Sequence, residues 1–479
     1  AMAGPLWTFE EIAAAVEIAS PADGQASGVA IDSRTLKPGD AFVAIRGERN
    51  DGHDFAERAF ANGAAAAIVA LDYNGSPPER TLFRVPDTLA ALNALGRAAR
   101  KRASARIAAV TGSVGKTGTK EMLRLIFSAA GPAHASEKSY NNLWGVPLSL
   151  ARMPKEARFG VFEIGMNHAG EITPLAKMVR PQAAIITWIA PVHIEFFNSQ
   201  AEIADAKAEI FDGLEGDSVA ILPADNGYFG RLAEKARNKN ATVISFGEKR
   251  DADARLTDFA AEEDGSRVTA EILGTSVKFL LPAPGRHLAV NALAALAAAK
   301  LFDVGLNVAA EALGQFQPPE GRGRRSIFQI ADRAVILIDE SYNANPASMN
   351  AALSVLGTVS RVKHSRRIAV LGDMLELGHA SAQFHADLAR AIDLNRVDLV
   401  FCAGPLMAHL YELLPKQKRG GWGENSEHLC PLVLDAVTWG DAVMIKGSLG
   451  SRMGLIADAL RARFDKETCG PLAAQKMRC

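Results

Sequence analysis

The segment Thr111-Gly112-Ser113-Val114-Gly115-Lys116-Thr117 lies between an apolar run, Ile107 to Val110, and a helical pattern, Lys120 to Ala129. A strand that feeds a helix through such a loop is the phosphate-binding unit of parallel α/β sheets, so it commits this part of the chain to that architecture. Glycines let backbone N–H groups approach an anion closely, and a helix N-terminus favours negative charge. Lys116 supplies a point charge and the Thr117 hydroxyl a magnesium ligand. Val110 stands where the longer form of the motif carries glycine, so the match is to the short form G-x-x-G-K-T. The loop predicts a nucleotide with Thr111 to Thr117 around its phosphates, and it leaves the reaction open. The competing reading is a Gly-Ser turn that only closes a strand.

The same alternation of apolar strand and helix extends in both directions. Residues 1–103 read as a small α/β unit, with a strand Ala41–Ile45, a helix around Phe55–Gly63 and a basic end, Arg97–Arg106. Residues 104–322 carry buried strands at Phe159–Ile164, Ala183–Ile189, Ser218–Leu222 and Thr242–Phe246, the signature of a doubly wound parallel sheet. A two-residue hairpin is expected at the sheet edge, Arg267–Leu273 and Ser276–Leu281 flanking Gly274-Thr275. An Ala/Leu helix follows over Ala289–Phe302, then a stiff, charged linker, Gln317–Arg325. Residues 323–479 repeat the pattern as a Rossmann-like unit, with strands Ala334–Ile338, Ile368–Leu371, Leu399–Ala403 and Ala442–Ile445.

Charge is balanced, 53 basic against 54 acidic residues, which leaves no electrostatic footprint for nucleic acid or an anionic membrane. Glu10 and Glu11 stand where an export signal would be basic, and the longest Ala/Leu run is broken by Asn291 and Lys300. We therefore expect a cytoplasmic chain without membrane insertion. The four cysteines, 402, 430, 469 and 479, form no C-x-x-C pair and suit a reducing compartment. Ala1-Met2 is set aside as a cloning remnant.

Ligands of open α/β sheets gather at the carboxyl ends of strands. Glu163 ends one strand, where its carboxylate can reach a phosphate-bound metal, or cap a helix. His193 follows another, although a lone histidine is most often structural and magnesium prefers oxygen. Lys207 lies on a helix and by itself passes as a solvated cation paired with Asp205 or Glu209. Asn141 and Asn142 can contact phosphate or substrate, or form a turn before Gly145. Arg322 and Arg324 are candidate nucleotide contacts in the linker. Asn291, at the head of the Ala/Leu helix, either binds an adenine edge or satisfies a buried helix end. Asp339 to Pro346 crowds hydrogen-bonding side chains between strand and helix, which favours a binding loop; Asp339 can also reach the nucleotide if the domains close. Gly372–Gly378 and Lys446-Gly447-Ser448 occupy equivalent places, with turn and capping chemistry as the alternative.

Together these residues resemble the Mur ligases over nearly the whole chain. The segments that carry the resemblance are DSRTLKPGDAFVAIRGERNDGHDF from Asp32 to Phe55, TGSVGKT, NNLWGVP, EIGMNHAGEI, KAEIF, PGRHLAVNALAA, DESYNANPASM, LGDMLELG and KGSLGSRM. The SYNANP segment is similar to the branch that adds a dipeptide, whereas several relatives that add one amino acid carry histidine there. The linker reads GRGRR where the family usually shows one Gly-Arg, so the nucleotide-contacting arginine is open between Arg322 and Arg324.

The resemblance implies a three-domain Mur ligase architecture and an ATP- and magnesium-dependent ligase of peptidoglycan precursor synthesis. Its substrates would be UDP-N-acetylmuramoyl-tripeptide and D-alanyl-D-alanine, joined through an acyl phosphate by a monomer. Lys116, Glu163, His193 and Lys207 would be catalytic. Thr117 and Glu163 would address a first magnesium; His193 and Lys207 a second, Lys207 as a carbamate formed with carbon dioxide. Asp32, Ser33 and Arg34 would hold the UDP end, and Asn141, Asn142, Tyr342, Asn343, Asn345, Lys446 and Ser448 the other substrate groups. Two alternatives stand beside this: a related ligase adding meso-diaminopimelate, lysine or glutamate, and a P-loop switch, motor or kinase. The N-K-x-D motif a switch would usually carry is absent.

Overall fold

A computed structural model describes residues 4–469 apart from 48–49, 76–78, 139 and 263; Cys479, Ala1 and Met2 lie outside the described residues. The first unit is a four-stranded parallel sheet, Gly28–Ala30, Asp40–Val43, Ala66–Ala70 and Leu82–Val85 in sequential order. Ala66–Ala70 is buried along its whole length, as expected of a parallel strand covered on both faces. The helix Thr88–Arg102 starts on Asp87, whose carboxylate accepts the N–H groups of Leu89 and Ala90 at 2.8 and 2.9 Å. Its basic end is an anchor: Arg100 donates to the carbonyls of Val179 and Arg180 at 2.7 and 2.9 Å, fastening the first unit to the second.

The second unit has nine strands, with Arg106–Thr111 between Ala183–Ile186 and Phe159–Glu163 and parallel to both. The helix after the loop is Lys116–Ala130, one turn longer at its start than the periodicity indicates, because Lys116 and Thr117 are already helical. Beyond Thr242–Gly247 the sheet continues through Ala254–Glu262 into the antiparallel pair Gly265–Ile272 and Thr275–Leu281. The hairpin is present, but Leu273 and Gly274 form its turn, with φ of 47° and 77°. A two-residue primed turn needs positive φ at both central positions, which moves the turn one residue toward the N-terminus. Ala254–Glu262 was hidden by Asp258 and Glu262, whose charges break the apolar run.

The Ala/Leu helix runs Arg286–Leu301, and every side chain from Asn291 to Ala299 is buried. Small alanines let it pack between the sheet and Lys116–Ala130. In the third unit six strands are ordered Arg324–Ile330, Arg333–Glu340, Asp441–Lys446, Arg366–Gly372, Leu399–Ala403 and Arg419–Gly423, all parallel after the first antiparallel pair. The linker therefore ends at Gly323. Arg324 and Arg325 pair with Asp339 and Ile338 in the ladder, and backbone hydrogen bonding overrides their charged, linker-like composition.

Candidate active site

The carboxyl ends of the second and third sheets face one cavity of about 700 Å³. On one side the phosphate loop is held open by its surroundings. Gly112 has φ 151°, and a Cβ there would lie 1.9 Å from Thr187 Oγ1. Ser113 N–H donates to the Trp188 carbonyl at 2.8 Å, and Ser113 Oγ accepts the Ala190 N–H at 3.0 Å. Gly115, in left-handed conformation at φ 82°, caps the helix, and a Cβ on it would come within 2.6 Å of Asn291 Nδ2. This is a cradle that side chains would fill, at a helix end with unpaired N–H groups, and it fits a phosphate. Lys116 Nζ rests on the Gly112 carbonyl at 2.8 Å. Burial lowers its amine from the ordinary lysine range, Glu163 opposing and Arg322 adding to the shift.

Glu163 is 1% exposed. It accepts from the Thr117 hydroxyl at 2.9 Å and from Asn141 Nδ2 at 2.7 Å, so the helix-cap reading gives way to a carboxylate aimed at the loop. Asn142 keeps the turn reading: its carbonyl oxygen accepts the Trp144 and Gly145 N–H groups at 3.2 and 2.9 Å. Asn291 sits in the second turn of its helix, not at the head, and therefore does not satisfy a helix end.

Lys207 is 2% exposed, and burial with repulsion from Lys116 lowers its amine well below the ordinary value. The carboxylates expected to pair with it are engaged elsewhere. Asp205 binds Arg231 at 2.7 Å, and Glu209 accepts the Gly170, Ile172 and Thr173 N–H groups. The solvated-cation reading of Lys207 is overturned. His193 lines the cavity in left-handed conformation, its Nδ1 against the Glu376 carboxylate from the third unit. Burial lowers the imidazole from its usual range, against the opposing pull of Glu376.

The third unit supplies the far wall through Glu340, Tyr342 to Asn345, Lys446 and Ser448. Lys446, buried, donates to the Asn343 carbonyl at 2.8 Å and lies 3.6 Å from Glu340. Burial lowers the lysine and raises the carboxyl of that pair. Asn345 caps the helix Pro346–Thr358 by accepting the Ser348 N–H at 2.9 Å, and Ser448 Oγ accepts the Leu375 N–H at 2.9 Å. Arg322 stacks on the Tyr342 ring at 4.0 Å on the cavity wall, whereas Arg324 is exposed and off it. Asp339 does not reach the wall. It accepts from Ser341 Oγ at 2.6 Å and pairs with Arg461 behind the strand. Asp373 is turn chemistry, accepting the Met407 N–H at 2.8 Å.

In the first unit Asp32 and Arg34 pair at 2.8 Å, and buried Ser33 accepts from Asn62 through its carbonyl; none of the three lines this cavity. Sequence reasoning missed Thr187, and it singled out the segments that hold Glu340 and Glu376 without assigning either carboxylate. Each stands at or just beyond a strand's carboxyl end, the same signal that selected Glu163. Cys402 and Cys430 are buried free thiols, both pushed up by burial and hence unreactive.

A phosphate loop, a buried carboxylate beside it and a polar wall from another domain, all around one cavity, define a nucleotide-using α/β enzyme whose substrates meet between domains. Three family descriptions match in register with the three sheets: the Mur ligase family catalytic domain over 25–100, the Mur ligase middle domain over 110–299 and the Mur ligase glutamate ligase domain over 323–449. The chain belongs to the Mur ligase family. It is similar to the UDP-N-acetylmuramoyl-tripeptide--D-alanyl-D-alanine ligases of Rickettsia prowazekii, 31% identical over 95% of this chain and 99% of that one, and Escherichia coli, 35% identical over 94% and 96%. A crystal structure of MurF from Acinetobacter baumannii superposes with a TM-score of 0.82 at 31% identity, covering 95% of this chain and 98% of that one.

Proposed function

We propose that this chain joins D-alanyl-D-alanine to the tripeptide carboxylate of UDP-N-acetylmuramoyl-tripeptide, with cleavage of ATP to ADP and phosphate, in peptidoglycan precursor synthesis. The observation that carries this reading is the single cavity bounded by both the phosphate loop and the Asn343–Asn345 loop, in a chain whose near-full-length relatives are named for this ligation.

A carboxylate does not acylate an amine in water, because oxide is too poor a leaving group. Its oxygen attacks the γ-phosphorus instead, the bond to ADP breaks, and an acyl phosphate forms. The dipeptide amine attacks that carbonyl, loses a proton, and expels phosphate. Charge gathers on phosphoryl oxygens throughout, and the loop N–H groups with Lys116 stabilise it. Thr117 and Glu163 fit a magnesium ion, their oxygens lying 2.9 Å apart beside the cradle. Bound there, magnesium supplies charge neutralisation to the phosphates.

Among the described residues no three His, Cys, Asp or Glu side chains cluster for a metal. His193 becomes part of a second site only if Lys207 carries an added carboxylate. A buried amine whose pKa burial and Lys116 lower well below the ordinary lysine value, with Asp205 and Glu209 engaged elsewhere, is suited to react with carbon dioxide to a carbamate. We assign Arg322 to the nucleotide and Asp32, Ser33 and Arg34 to the UDP end. We place the reaction in the cytoplasm and take the enzyme to act as a monomer; among the described residues no helix is long and apolar enough to cross a membrane. The test is phosphate release from ATP with UDP-N-acetylmuramoyl-tripeptide and a panel of amines. Turnover is expected with D-alanyl-D-alanine, and turnover with single amino acids instead would replace this reading by another ligase of the family.

A further inference from the structure

His193 and Glu376 stand 183 residues apart in the chain and in different domains, yet the imidazole Nδ1 meets the carboxylate. Both line the cavity. Both also hold left-handed backbone, at φ 55° and 61°, a region that residues with a side chain seldom occupy and that recurs where geometry is fixed for function. Among the described residues the Glu376 carboxylate has no other hydrogen bond or ion pair, and neither has the His193 ring. The backbones touch as well, Glu195 N–H donating to the Glu376 carbonyl at 3.4 Å. The pair is only half-buried, and a single partly solvated contact of this kind adds little to stability. Its consequence is orientation.

We propose that Glu376 is a positioning residue that sets the His193 ring when the third domain closes over the phosphate loop. The inference rests on the ligase reading given above. A carboxylate on Nδ1 fixes that nitrogen as the N–H donor and leaves Nε2 with the free lone pair. Glu376 is carried on the segment whose Leu375 N–H is held by Ser448, so it moves with the amine-side wall of the cavity. The imidazole, in the same cavity as the phosphate loop, is therefore oriented only when the amine side has docked. That order protects an acyl phosphate from water until the amine is in place.

The full chain is compared as wild type and Glu376→Ala by small-angle scattering, with a non-hydrolysable ATP analogue, magnesium and the tripeptide substrate. Wild type is expected to contract on binding, and a wild type that does not contract overturns the proposal. Glu376→Ala is expected to bind the analogue as wild type does by calorimetry yet lose most of the contraction, and Glu376→Gln, which can still accept from Nδ1–H, to regain it. In turnover, Glu376→Ala should lower kcat about tenfold with KM for ATP unchanged. Adding it to His193→Ala should cost nothing further. Full contraction of Glu376→Ala, or additive losses in the double variant, overturns the proposal alone. Failure of wild type to bind the analogue overturns the ligase reading and the proposal with it. Should Glu376→Ala not fold, Glu376→Asp, one methylene shorter, carries the same expectation and the same overturning result.

Discussion

The Thr117 hydroxyl donates to Glu163 Oε2 at 2.9 Å, tying the first turn of the phosphate-loop helix to the end of the neighbouring strand. A second donor, Asn141 Nδ2, occupies Oε1 at 2.7 Å. Glu163→Gln keeps the size of the side chain and removes its charge. The fold should survive, while the magnesium concentration for half-maximal ADP formation rises and kcat falls. A lost charge contact in a dry site costs about 3 kcal/mol, roughly a hundredfold. An unchanged magnesium titration in a folded variant would remove Glu163 from the metal site.

Arg322 and Arg324 were equivalent in the sequence, and the fold separates them. Arg322 lies on the cavity wall over Tyr342, at 4.0 Å from the ring, and Arg324 is exposed on an edge strand. Arg322→Ala should raise KM for ATP about tenfold or more, and Arg324→Ala by less than about twofold, since a surface change away from a site is nearly silent. The reverse order in steady-state kinetics would return the nucleotide contact to Arg324.

Asn345 has two jobs that substitution can part. It caps the helix Pro346–Thr358 and it lines the cavity. Asn345→Asp preserves the cap and so the melting temperature, but places a negative charge on the cavity wall proposed to receive the dipeptide; Asn345→Ala loses the cap, about 1 kcal/mol. Both should raise KM for D-alanyl-D-alanine well above any change in KM for ATP. A KM left untouched by Asn345→Asp would reduce the residue to its cap.

How much of this was legible beforehand follows from the range of each signal. The phosphate loop, the strand alternation and Glu163 are local, and the sequence displays them in order. Asn291 was placed at a helix head because the apolar run starts at Ala289, while Arg286 to Leu288 are polar or exposed helix that periodicity cannot register. Arg324 and Arg325 read as linker because charge conceals a strand whose partner lies across a turn. Asp339 was expected to reach the nucleotide, but Arg461, 122 residues away, pairs with it. The His193–Glu376 contact joins domains, and no local pattern encodes it.

Lys207 offers the sharpest test, because its two chemical states predict opposite costs. Its folded-state pKa is depressed. Above the ordinary lysine value both folded and unfolded chains carry the neutral amine, and burial costs little. As pH falls below that value the unfolded chain takes up the proton first, so stability is lost until the folded pKa is reached. Lys207→Met should therefore raise the melting temperature in carbon dioxide-free buffer, by more near neutral pH than near pH 10. A carbamate requires the neutral amine, so the same variant should be nearly inactive although better folded. Lys207→Ala should likewise be inactive, and acetate or another short carboxylate should partly restore its turnover by standing in for the missing ligand. Near-normal turnover in either variant would end the carbamate assignment, and a melting temperature indifferent to pH would end the argument from burial.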